Sequence, residues 1–519
     1  MSGRAPWWRD AVVYQIYPRS FADADGDGLG DLAGVRARLD HVAWLGADAI
    51  WLNPIMPSPD ADFGYDITDF CAVDPRLGTL ADLDALLADA HAQRLRVLLD
   101  LVPNHTSDRH PWFLDARSGR RAARRHWYVW ADPAPGGGPP NNWRSLFGGP
   151  AWTCDARTGQ YFLHSFLARQ PDLNWWNADV RAAFDGILRF WLDRGVDGFR
   201  IDVAAGMVKD RDLRDNPPAR RRDHAVVRAL GQRQRFNMDR PEVHDVLRRW
   251  RRIADGYAHE PVLLGEAYVM DPRRLAAYFG RDGDELHLAF DFPLLHAPFQ
   301  PAALRRAIAA TGVLEDAGAW PARAGSNHDA GRLATRWAGG DEDRARCALL
   351  LLLTLRGTPV LYYGDELALQ TQAIPEDCLL DPGSDAERRG GRDGSRTPMP
   401  WAPGPGAGFT RAGARTWLPI GEHHGRTVAE QRADPQSVLH LTRRLIALRR
   451  AEPALRSGGV ELLDAPPGVL RFSRAGRFEV WINLGRTARD LPGGVVAATA
   501  SDAVAGGRLR PTAVAVVAT

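Results

Sequence analysis

Eight short apolar runs recur along the chain, and stretches with helical spacing separate many of them. The runs are residues 12–17, 49–52, 96–101, 198–201, 262–265, 288–290, 323–326 and 359–362. Between them, apolar residues recur at helical spacing in residues 80–93 and again in residues 180–194. Buried strands that alternate with helices predict a parallel sheet, and eight repeats predict a closed (β/α)8 TIM barrel.

Two parts of the chain fall outside this repeat. Between the third and fourth runs lie 96 residues, where one helix and its loops need about 25. The first two thirds of that interval are rich in Trp, Gly, Pro and Asn, which predicts a small inserted domain. Short alternating runs near the end of the chain predict a C-terminal β-sandwich. The expected domains are a catalytic barrel at residues 1–102 and 174–455, an inserted domain at 103–173, and the β-sandwich at 456–519.

The charge balance excludes several functions. Lys plus Arg is 66 and Asp plus Glu is 64, so the net charge of +2 is too small for a dedicated nucleic-acid or anionic-membrane binder. Acidic residues surround the arginine-rich runs, which are expected to form a solvated surface or an ion-pair network. The chain has one lysine, Lys209, and nothing around it supports the Schiff-base chemistry of pyridoxal-phosphate enzymes or aldolases.

Cysteine usage and hydropathy bear on the cellular location. The four cysteines, Cys71, Cys154, Cys347 and Cys378, are far apart and form no CxxC pair, so zinc and redox motifs are absent. The first ten residues lack an apolar signal core, and the apolar stretch at residues 348–355 is too short to span a membrane. We therefore expect a cytoplasmic protein without membrane or nucleic-acid partners. The sequence does not decide whether the protein is a monomer or a homodimer.

Polar side chains follow four of the predicted strands. Asp100, Asn104 and His105 end or follow the third strand, Arg200 and Asp202 the fourth, Glu266 the fifth, and Asn327, His328 and Asp329 the seventh. Because the carboxyl ends of barrel strands meet at one face, we expect these groups to form the active site. Four carboxylates, two imidazoles and an arginine, without lysine or cysteine, indicate acid–base and nucleophilic carboxylate chemistry, as in retaining glycoside hydrolysis.

The same strand ends carry recognisable motifs. DLVPNH, GFRID, the glutamate of GEA, and NHD resemble the four signature regions of glycoside hydrolase family 13, the α-amylase family. QPDLN at residues 170–174, the opening VVYQIYPRSF, and DGSRTPMPW resemble its oligo-1,6-glucosidase and α-glucosidase branch. The resemblance spans about residues 8 to 401. It implies a retaining, exo-acting α-glucosidase, which releases glucose from the non-reducing end of short α-glucosides through a covalent glucosyl-enzyme intermediate.

The resemblance also implies a role for each matching residue. Asp202 would be the nucleophile, Glu266 the general acid/base, and Asp329 the carboxylate that holds ring hydroxyls and distorts the sugar. Arg200 would orient Asp202 and keep it ionised. The other residues expected to line the substrate site are Tyr65, which would stack on glucose, His105 and His328, which would donate to its hydroxyls, and Phe147 and Phe166, which would form aromatic walls.

Three further matches bear on specificity. Asp62 and Arg396 resemble the pair that closes the pocket in exo-acting members, where only a terminal glucose is admitted. Val203, directly after the nucleophile, is similar to the residue of the α-1,6-cleaving type, whereas Ala or Thr is similar to the α-1,4 type. A contact on this methyl scale discriminates by about 1–3 kcal/mol. The linkage preference therefore stays undecided between α-1,4 and α-1,6 bonds, and sucrose and trehalose remain candidate substrates.

An acidic loop near the N-terminus predicts a metal site. Asp23, Asp25, Asp27 and Asp31 are spaced by glycine-rich turns that could wrap one hard cation, with the Leu29 carbonyl as a further ligand. The twelfth position is Gly34 and not Glu, so the loop is not an EF-hand. Members of the family bind Ca²⁺ in a matching loop, so the expectation is a structural Ca²⁺, with Mg²⁺ as an alternative. A plain turn without metal is the competing interpretation.

Three other functions compete with hydrolysis. An α-glucosyl transferase, transglycosylating or isomerising, would use the same intermediate and replace water by a sugar or alcohol. A non-catalytic member of the family is disfavoured, because Asp202, Glu266 and Asp329 are all present. A phosphate-binding metabolic barrel is disfavoured, because no glycine-rich phosphate loop precedes the late helices.

Overall fold

The computed structural model describes residues 5–382 and 391–519; residues 1–4 and 383–390, which belong to the predicted barrel segments, lie outside the described residues. Eight parallel strands form a closed barrel in the order β1-β8-β7-β6-β5-β4-β3-β2 once they are numbered along the chain. They are β1 Val13–Ile16, β2 Ala49–Leu52, β3 Arg96–Leu101, β4 Gly198–Ile201, β5 Val262–Gly265, β6 Leu288–Phe290, β7 Pro321–Ala324 and β8 Thr358–Tyr362. The predicted TIM barrel is confirmed.

The predicted strand bounds agree closely with the structure. Strands β2 to β6 begin and end where the apolar runs place them. The seventh strand begins two residues before the predicted run, at Pro321. A proline there was an unpromising strand residue by composition, but it stands at the first position, where a missing N–H is tolerated.

The described chain divides into two compact units. The first comprises Met1–Leu52, Arg76–Val97 and Phe290–Thr519, and the second comprises Asn53–Pro75 and Leu98–Ala289. In the first, β1 pairs in parallel with β2 and β8, and β7 pairs with β8. In the second, β4 pairs in parallel with β3 and β5, and β5 with β6. These units cut the chain elsewhere than residues 102, 173 and 455, so the predicted domain boundaries stay predictions.

Helices follow most barrel strands, and several of the longer ones begin at a side-chain cap and bury an apolar stripe. Those of the first unit are Trp7–Asp10, Pro18–Phe21, Leu32–Ala37, Leu39–Leu45, Leu80–Ala92, Phe292–Leu295, Pro301–Asp316, Leu333–Arg336, Glu342–Thr354, Val428–Ala433, Val438–Ala451 and Pro453–Arg456. Those of the second are Pro111–Arg117, Ala178–Asp193, Ala225–Leu230, Val243–Ala254 and Pro272–Ala276. The helix Leu80–Ala92 begins at a capping box formed by Thr79 and Asp82. Among the described residues, none of the helices is both long and apolar enough to cross a bilayer.

The tryptophan-rich segment between β3 and β4 contains a small antiparallel sheet. Its strands are Trp130–Ala131, Trp152–Asp155 and Gln160–Leu163, with the last in the middle. Trp143, Trp152 and Leu163 form an apolar core beneath it. Leu213 and Phe236, which follow β4, also pack against this core, so the segment shares it with a later part of the chain.

The C-terminal residues form two antiparallel sheets, which confirms the predicted sandwich. The larger has the order Val460–Leu462, Val469–Arg474, Phe478–Asn483, Ala513–Ala518 and Val495–Ala498, and the smaller Arg489–Asp490, Arg508–Leu509 and Val504–Ala505. Trp481 and Val517 of the larger sheet share one buried cluster with Leu509 of the smaller. The alternating runs of the sequence thus bury one face of each sheet against the other.

Candidate active site

In the second unit, one guanidinium contacts three carboxylates at the ends of neighbouring strands. Arg200, on β4, contacts Asp202 (2.5 Å) and Asp100 (2.9 Å) through Nη1, and Glu266 (2.9 Å) through Nη2. The strand register produces this arrangement, because Asp100 lies beside Arg200 in the pairing of β3 with β4. Glu266 directly follows β5, and its N–H donates to the carbonyl of Ile201. We call these four residues the Arg200 cluster.

Exposure separates the members of the Arg200 cluster by role. The side chains of Asp202 and Glu266 are 9% and 15% exposed, whereas those of Arg200 and Asp100 are 1% and 0% exposed. A substrate can therefore reach Asp202 and Glu266, while Arg200 and Asp100 support them from below. This is the arrangement expected of a nucleophile and an acid/base held by a buried cation.

Electrostatics in the Arg200 cluster follow from its burial. Burial by itself would lower the pKa of Arg200, but the carboxylates of Asp100, Glu266 and Asp202 raise it well above its ordinary value. Burial raises the pKa of Asp100 to about 6, although Arg200 and Tyr65 oppose this shift. Arg200 is thus a permanent positive charge beside Asp202, and such a charge favours the ionised nucleophile.

The residue after the nucleophile has a strained backbone. Val203 has a φ of 44°, a left-handed value that is a genuine outlier for a β-branched residue. Strain of this kind costs about 1–3 kcal/mol and persists where the surroundings enforce it. Here the Val203 N–H donates to Glu266 Oε2 at 3.0 Å. The residue expected to influence linkage preference therefore also holds the carboxylate of the expected acid/base.

Three of the predicted substrate residues share one hydrogen-bond network in the second unit. The Tyr65 hydroxyl donates to Asp100 Oδ2 at 2.9 Å, and the Tyr65 carbonyl lies 3.0 Å from His105 Nε2. Gln170 Nε2 donates to Asp62 Oδ2 at 3.1 Å and lies 3.1 Å from His105 Nε2. Burial lowers the pKa of His105, which keeps its ring neutral at physiological pH.

The two predicted aromatic residues lie next to this network. The Phe166 ring centroid is 5.2 Å from that of His105, and Phe147 packs edge-on against Phe166 at 5.9 Å. Both phenyl rings are half-buried and so keep an open face. Their role as walls of the substrate site stays a prediction.

In the first unit, one carboxylate is held by two arginines and a histidine. Asp329 is contacted by Arg392 Nη1 (3.0 Å), Arg396 Nη2 (3.1 Å) and His328 Nε2 (3.1 Å). Arg396 Nε also donates to the carbonyl of His328 at 2.8 Å, and Gln15 Nε2 lies 2.9 Å from His328 Nδ1. We call Asp329, His328, Arg392 and Arg396 the Asp329 cluster. The predicted pairing of Asp62 with Arg396, which belong to different units, stays a prediction.

The structure adds three polar residues that sequence reasoning did not assign, namely Gln15, Gln170 and Arg392. Asp100 was expected at the active-site face but without a role, and the structure gives it Arg200 and Tyr65 as partners. The added residues had weak signals: Gln15 is a polar residue within the buried strand β1, and Gln170 lies within QPDLN. Arg392 stands four positions before Arg396, in a stretch where arginines are common. Their importance becomes visible only through the partners that the fold gives them.

The acidic loop brings together three of the five predicted ligands. Carboxylate oxygens of Asp23, Asp25 and Asp27 all lie within 4.8 Å of one another. Gly28 has a φ of 99°, and a Cβ there would lie 1.9 Å from the carbonyl oxygen of Arg415, so the loop requires glycine. Asp31 instead caps the helix Leu32–Ala37 through the Gly34 N–H. Three clustered carboxylates are the hard oxygen donors that Ca²⁺ prefers, and they fit the predicted ion.

Comparison with known proteins identifies the family. The model of the α-amylase catalytic domain matches residues 15–458. The chain belongs to the α-amylase family. The resemblance of its motifs to glycoside hydrolase family 13 is thereby confirmed, and the protein is a glycoside hydrolase.

Relatives of this family member include hydrolases and a transferase. The chain is 46% identical to a probable α-glucosidase of Rhizobium meliloti (strain 1021), over 90% of this chain and 87% of that protein. It is 36% identical to an oligo-1,6-glucosidase of Heyndrickxia coagulans, over 88% of this chain and 87% of that protein. The crystal structure of the α-glucosyl transfer enzyme XgtA superposes with a TM-score of 0.92 at 42% identity, covering 99% of this chain and 100% of that one.

Proposed function

We propose that this glycoside hydrolase is a retaining, exo-acting α-glucosidase that releases glucose from short α-glucosides. The observation that carries the proposal is the guanidinium of Arg200, which contacts the carboxylates of both Asp202 and Glu266. Retaining enzymes use two carboxyl groups about 5 Å apart, one as nucleophile and one as acid/base. Two partly exposed carboxylates on one buried cation fit that requirement, and the names of the hydrolytic relatives support the substrate class.

The chemistry assigned to the two carboxylates has two steps. In the first, an Asp202 oxygen attacks the anomeric carbon while Glu266 gives its proton to the leaving oxygen, and the glycosidic bond breaks. In the second, the Glu266 carboxylate takes a proton from water, whose oxygen attacks the anomeric carbon and displaces Asp202. Arg200 keeps Asp202 ionised, and the Val203 N–H stabilises the Glu266 carboxylate once its proton has left.

The remaining roles rest on the family resemblance and on local geometry. Asp329 would hold glucose hydroxyls, since Arg392, Arg396 and His328 fix its carboxylate. His105 and Tyr65 would bind the same terminal glucose, with Phe166 beside them. Asp62 and Arg396 would exclude sugars beyond that glucose. This assignment predicts exo action.

A product time course tests the hydrolytic function. We expect maltotriose to yield single glucose units and soluble starch to remain almost untouched. Maltose, isomaltose, sucrose and trehalose, compared side by side, give the linkage preference. NMR of the first product should show α-glucose before mutarotation, because two inversions retain configuration. Early release of maltose or longer fragments from starch would contradict exo action, and β-glucose as first product would contradict retention.

Transfer of the glucosyl group is the second candidate, and the similarity to XgtA favours it. Both functions share the glucosyl-Asp202 intermediate and differ in whether water or a sugar hydroxyl attacks it. Raising the concentration of an aryl α-glucoside tests this alternative. A transferase would form longer glucosides and release less free glucose than aryl alcohol, whereas a hydrolase would keep the two nearly equal.

We propose that the acidic loop binds a structural Ca²⁺ or Mg²⁺ through Asp23, Asp25 and Asp27, with the Leu29 carbonyl and Asp31 as further ligand candidates. The clustered carboxylates support this assignment. EDTA should lower the melting temperature and excess Ca²⁺ should restore it by linkage to the folded state. The Asp25→Asn variant is the matched control and should respond less to EDTA. If EDTA leaves the melting temperature unchanged and elemental analysis finds no metal, the metal site is contradicted and the loop is a plain turn.

A cytoplasmic location is part of the same proposal. Its support is that Cys71, Cys154, Cys347 and Cys378, all within the described residues, are free thiols. Disulfides are rare in the cytosol and common in secreted proteins. Fractionation of the source cells with an antibody against the protein would test it, and recovery outside the cytosolic fraction would contradict it.

A further inference from the structure

The one lysine of the chain lies buried beside the histidine proposed to bind glucose. Lys209 Nζ contacts Asn104 Oδ1 at 2.8 Å, Asp172 Oδ2 at 3.0 Å, and the carbonyl of Gly206. A lysine ammonium has three N–H donors and no acceptor. Here three donors meet three acceptors, so the ammonium form is satisfied even though burial lowers the pKa of Lys209. Each of the three hydrogen bonds can run in one direction only.

This direction fixes the orientation of the Asn104 amide. Because an ammonium can only donate, the Asn104 atom that faces it must be the oxygen, and the amide NH₂ points the other way. That NH₂ lies 3.1 Å from His105 Nδ1 and 3.2 Å from Asp172 Oδ1. Two N–H donors thus meet two acceptors. His105 Nδ1 must accept, and the proton of the neutral imidazole must be on Nε2.

The Nε2 proton then has a defined acceptor. His105 Nε2 lies 3.0 Å from the Tyr65 carbonyl oxygen, to which it donates. The Gln170 amide nitrogen is also near, at 3.1 Å, but an N–H cannot donate to a protonated nitrogen, and it donates to Asp62 instead. The donor chain that begins at Lys209 therefore ends on the backbone of Tyr65, the residue proposed to stack on glucose.

We propose that Lys209 is a positioning residue: through Asn104 it holds the His105 proton on Nε2 and thereby orients His105 and Tyr65 for glucose. The inference rests on the proposed function of that site. Asp172, from the QPDLN motif, supplies the countercharge and also accepts from Ser165. Of the 66 lysine and arginine residues, one is lysine, and a compact three-donor ammonium is what this site accommodates. A planar guanidinium with five donors would leave some of them unmatched.

The first test compares Lys209→Met with Arg125→Met. Arg125 is an equally buried cation of the same unit, and it donates to Ala116, Thr158 and Gln160, none of which contacts the proposed site. Both variants should have a lower melting temperature. At a temperature where near-UV circular dichroism shows both folded, kcat/KM on an aryl α-glucoside should fall about 10- to 100-fold for Lys209→Met and little for Arg125→Met. Equal losses in the two variants would overturn the positioning role.

If Lys209→Met fails to fold, variants of Asn104 still test the proposed positioning role. Asn104→Leu leaves the pair of Lys209 and Asp172 in place but breaks the relay, and it should lose as much kcat/KM as Lys209→Met. Wild-type kcat/KM in a folded Asn104→Leu variant would overturn the proposal.

Asn104→Asp tests the direction of the relay. Its carboxylate would still accept from Lys209, but it would draw the proton of neutral His105 onto Nδ1 and raise the pKa of that ring. The other charged groups acting on His105 are Asp172, Asp62 and Lys209. Below the raised pKa the imidazolium again has an Nε2–H for Tyr65, and above it Nε2 is a bare acceptor facing a carbonyl. Activity relative to wild type should therefore be highest in acid and fall as pH rises, and a flat ratio would contradict the assigned direction.

A single-residue NMR signal tests the hydrogen bonds without any substrate. Protein labelled with [¹⁵N]lysine should show one Nζ resonance, with hydrogens that persist because the buried ammonium exchanges slowly. Asn104→Leu should shift this resonance, and Arg125→Met should leave it in place. A resonance unmoved by Asn104→Leu would overturn the contact. Wild-type protein inactive on every α-glucoside, with the NMR results as expected, would instead overturn the proposed function.

Discussion

The Arg200 cluster and the Asp329 cluster use opposite ratios of charge. In the first, one arginine contacts the carboxylates of Asp100, Asp202 and Glu266. In the second, one carboxylate, Asp329, is contacted by Arg392 and Arg396 and by the imidazole of His328. Burial, with a smaller contribution from the neighbouring Glu266 carboxylate, raises the pKa of Asp100 to about 6, so the first cluster favours protonation of one carboxyl group. In the second cluster, two guanidinium groups lie beside one carboxylate, and opposite charges favour the charged form.

This difference matches two kinds of work. A glycosidase must hold one proton ready for the leaving oxygen, which requires carboxyl groups that compete for a limited positive charge. It must also bind neutral sugar hydroxyls through hydrogen bonds, which requires an acceptor in a fixed position whose protonation state does not change. The comparison therefore predicts that changes in the Arg200 cluster alter the chemical step and its pH dependence, whereas changes in the Asp329 cluster mainly alter substrate binding.

The largest effect is expected from Asp202→Asn. An amide cannot form the glucosyl ester, so kcat on an aryl α-glucoside should fall at least about 1,000-fold, equivalent to about 4 kcal/mol. The fold should be intact, with a circular dichroism spectrum like that of wild type. A variant that keeps more than a few per cent of the wild-type kcat would remove Asp202 from the role of nucleophile.

Glu266→Gln should show a loss that depends on the leaving group. General acid catalysis contributes about 100- to 10,000-fold, and maltose, whose leaving oxygen needs the proton, should lose that much. An aryl glucoside with an activated leaving group should lose far less in the glycosylation step. Single-turnover kinetics on both substrates measures this step directly. Equal losses for the two substrates would argue against Glu266 as the acid.

Within the Asp329 cluster, Arg396→Met should be more damaging than Arg392→Met. Arg396 is fully buried and also binds the His328 carbonyl, whereas Arg392 is partly exposed and shares its charge with Asp381. The Asp329 side chain is 37% exposed, so water screens part of the loss when a partner is removed. We expect kcat/KM to fall about 100-fold for Arg396→Met and about 10-fold for Arg392→Met, equivalent to about 2.7 and about 1.4 kcal/mol. The loss should be mainly in KM. Equal losses in the two variants, or losses confined to kcat, would contradict the assignment of substrate binding to the Asp329 cluster.

The change with the smallest consequence for activity is the pH dependence of stability contributed by Asp100. Its pKa of about 6 in the folded protein exceeds the unfolded value of about 3.9. The folded state therefore holds a proton between those values that the unfolded state has released, and the free energy of unfolding falls as pH rises through this window. The contribution is about 1.4 kcal/mol per pH unit and levels off above pH 6. Denaturant titrations of wild type and Asp100→Asn at pH 4 to 7 should show this slope in their difference, and a constant difference would contradict it.

Local patterns in the sequence were sufficient for the barrel and for the candidate chemistry. Hydrophobic periodicity places β2 to β6 to the residue, because a buried parallel strand must be apolar on both faces whatever its neighbours are. The short motifs around Asp202, Glu266 and Asp329 are similarly local, since each strand end delivers its own polar group. Strand β7 shifted by two residues, because its small residues give a weaker apolar signal than Leu or Val.

What the tertiary structure alone decided is which polar group each of these residues contacts. Lys209 is an isolated cation in the sequence, and Asn104 lies 105 positions before it. Only the fold brings them within hydrogen-bond distance and so determines which nitrogen of His105 carries the proton. The same holds for Gln170 and Asp62, 108 positions apart. Residue identity specifies how many hydrogen bonds a side chain can donate or accept, but the direction in which they run depends on partners that come from distant parts of the chain.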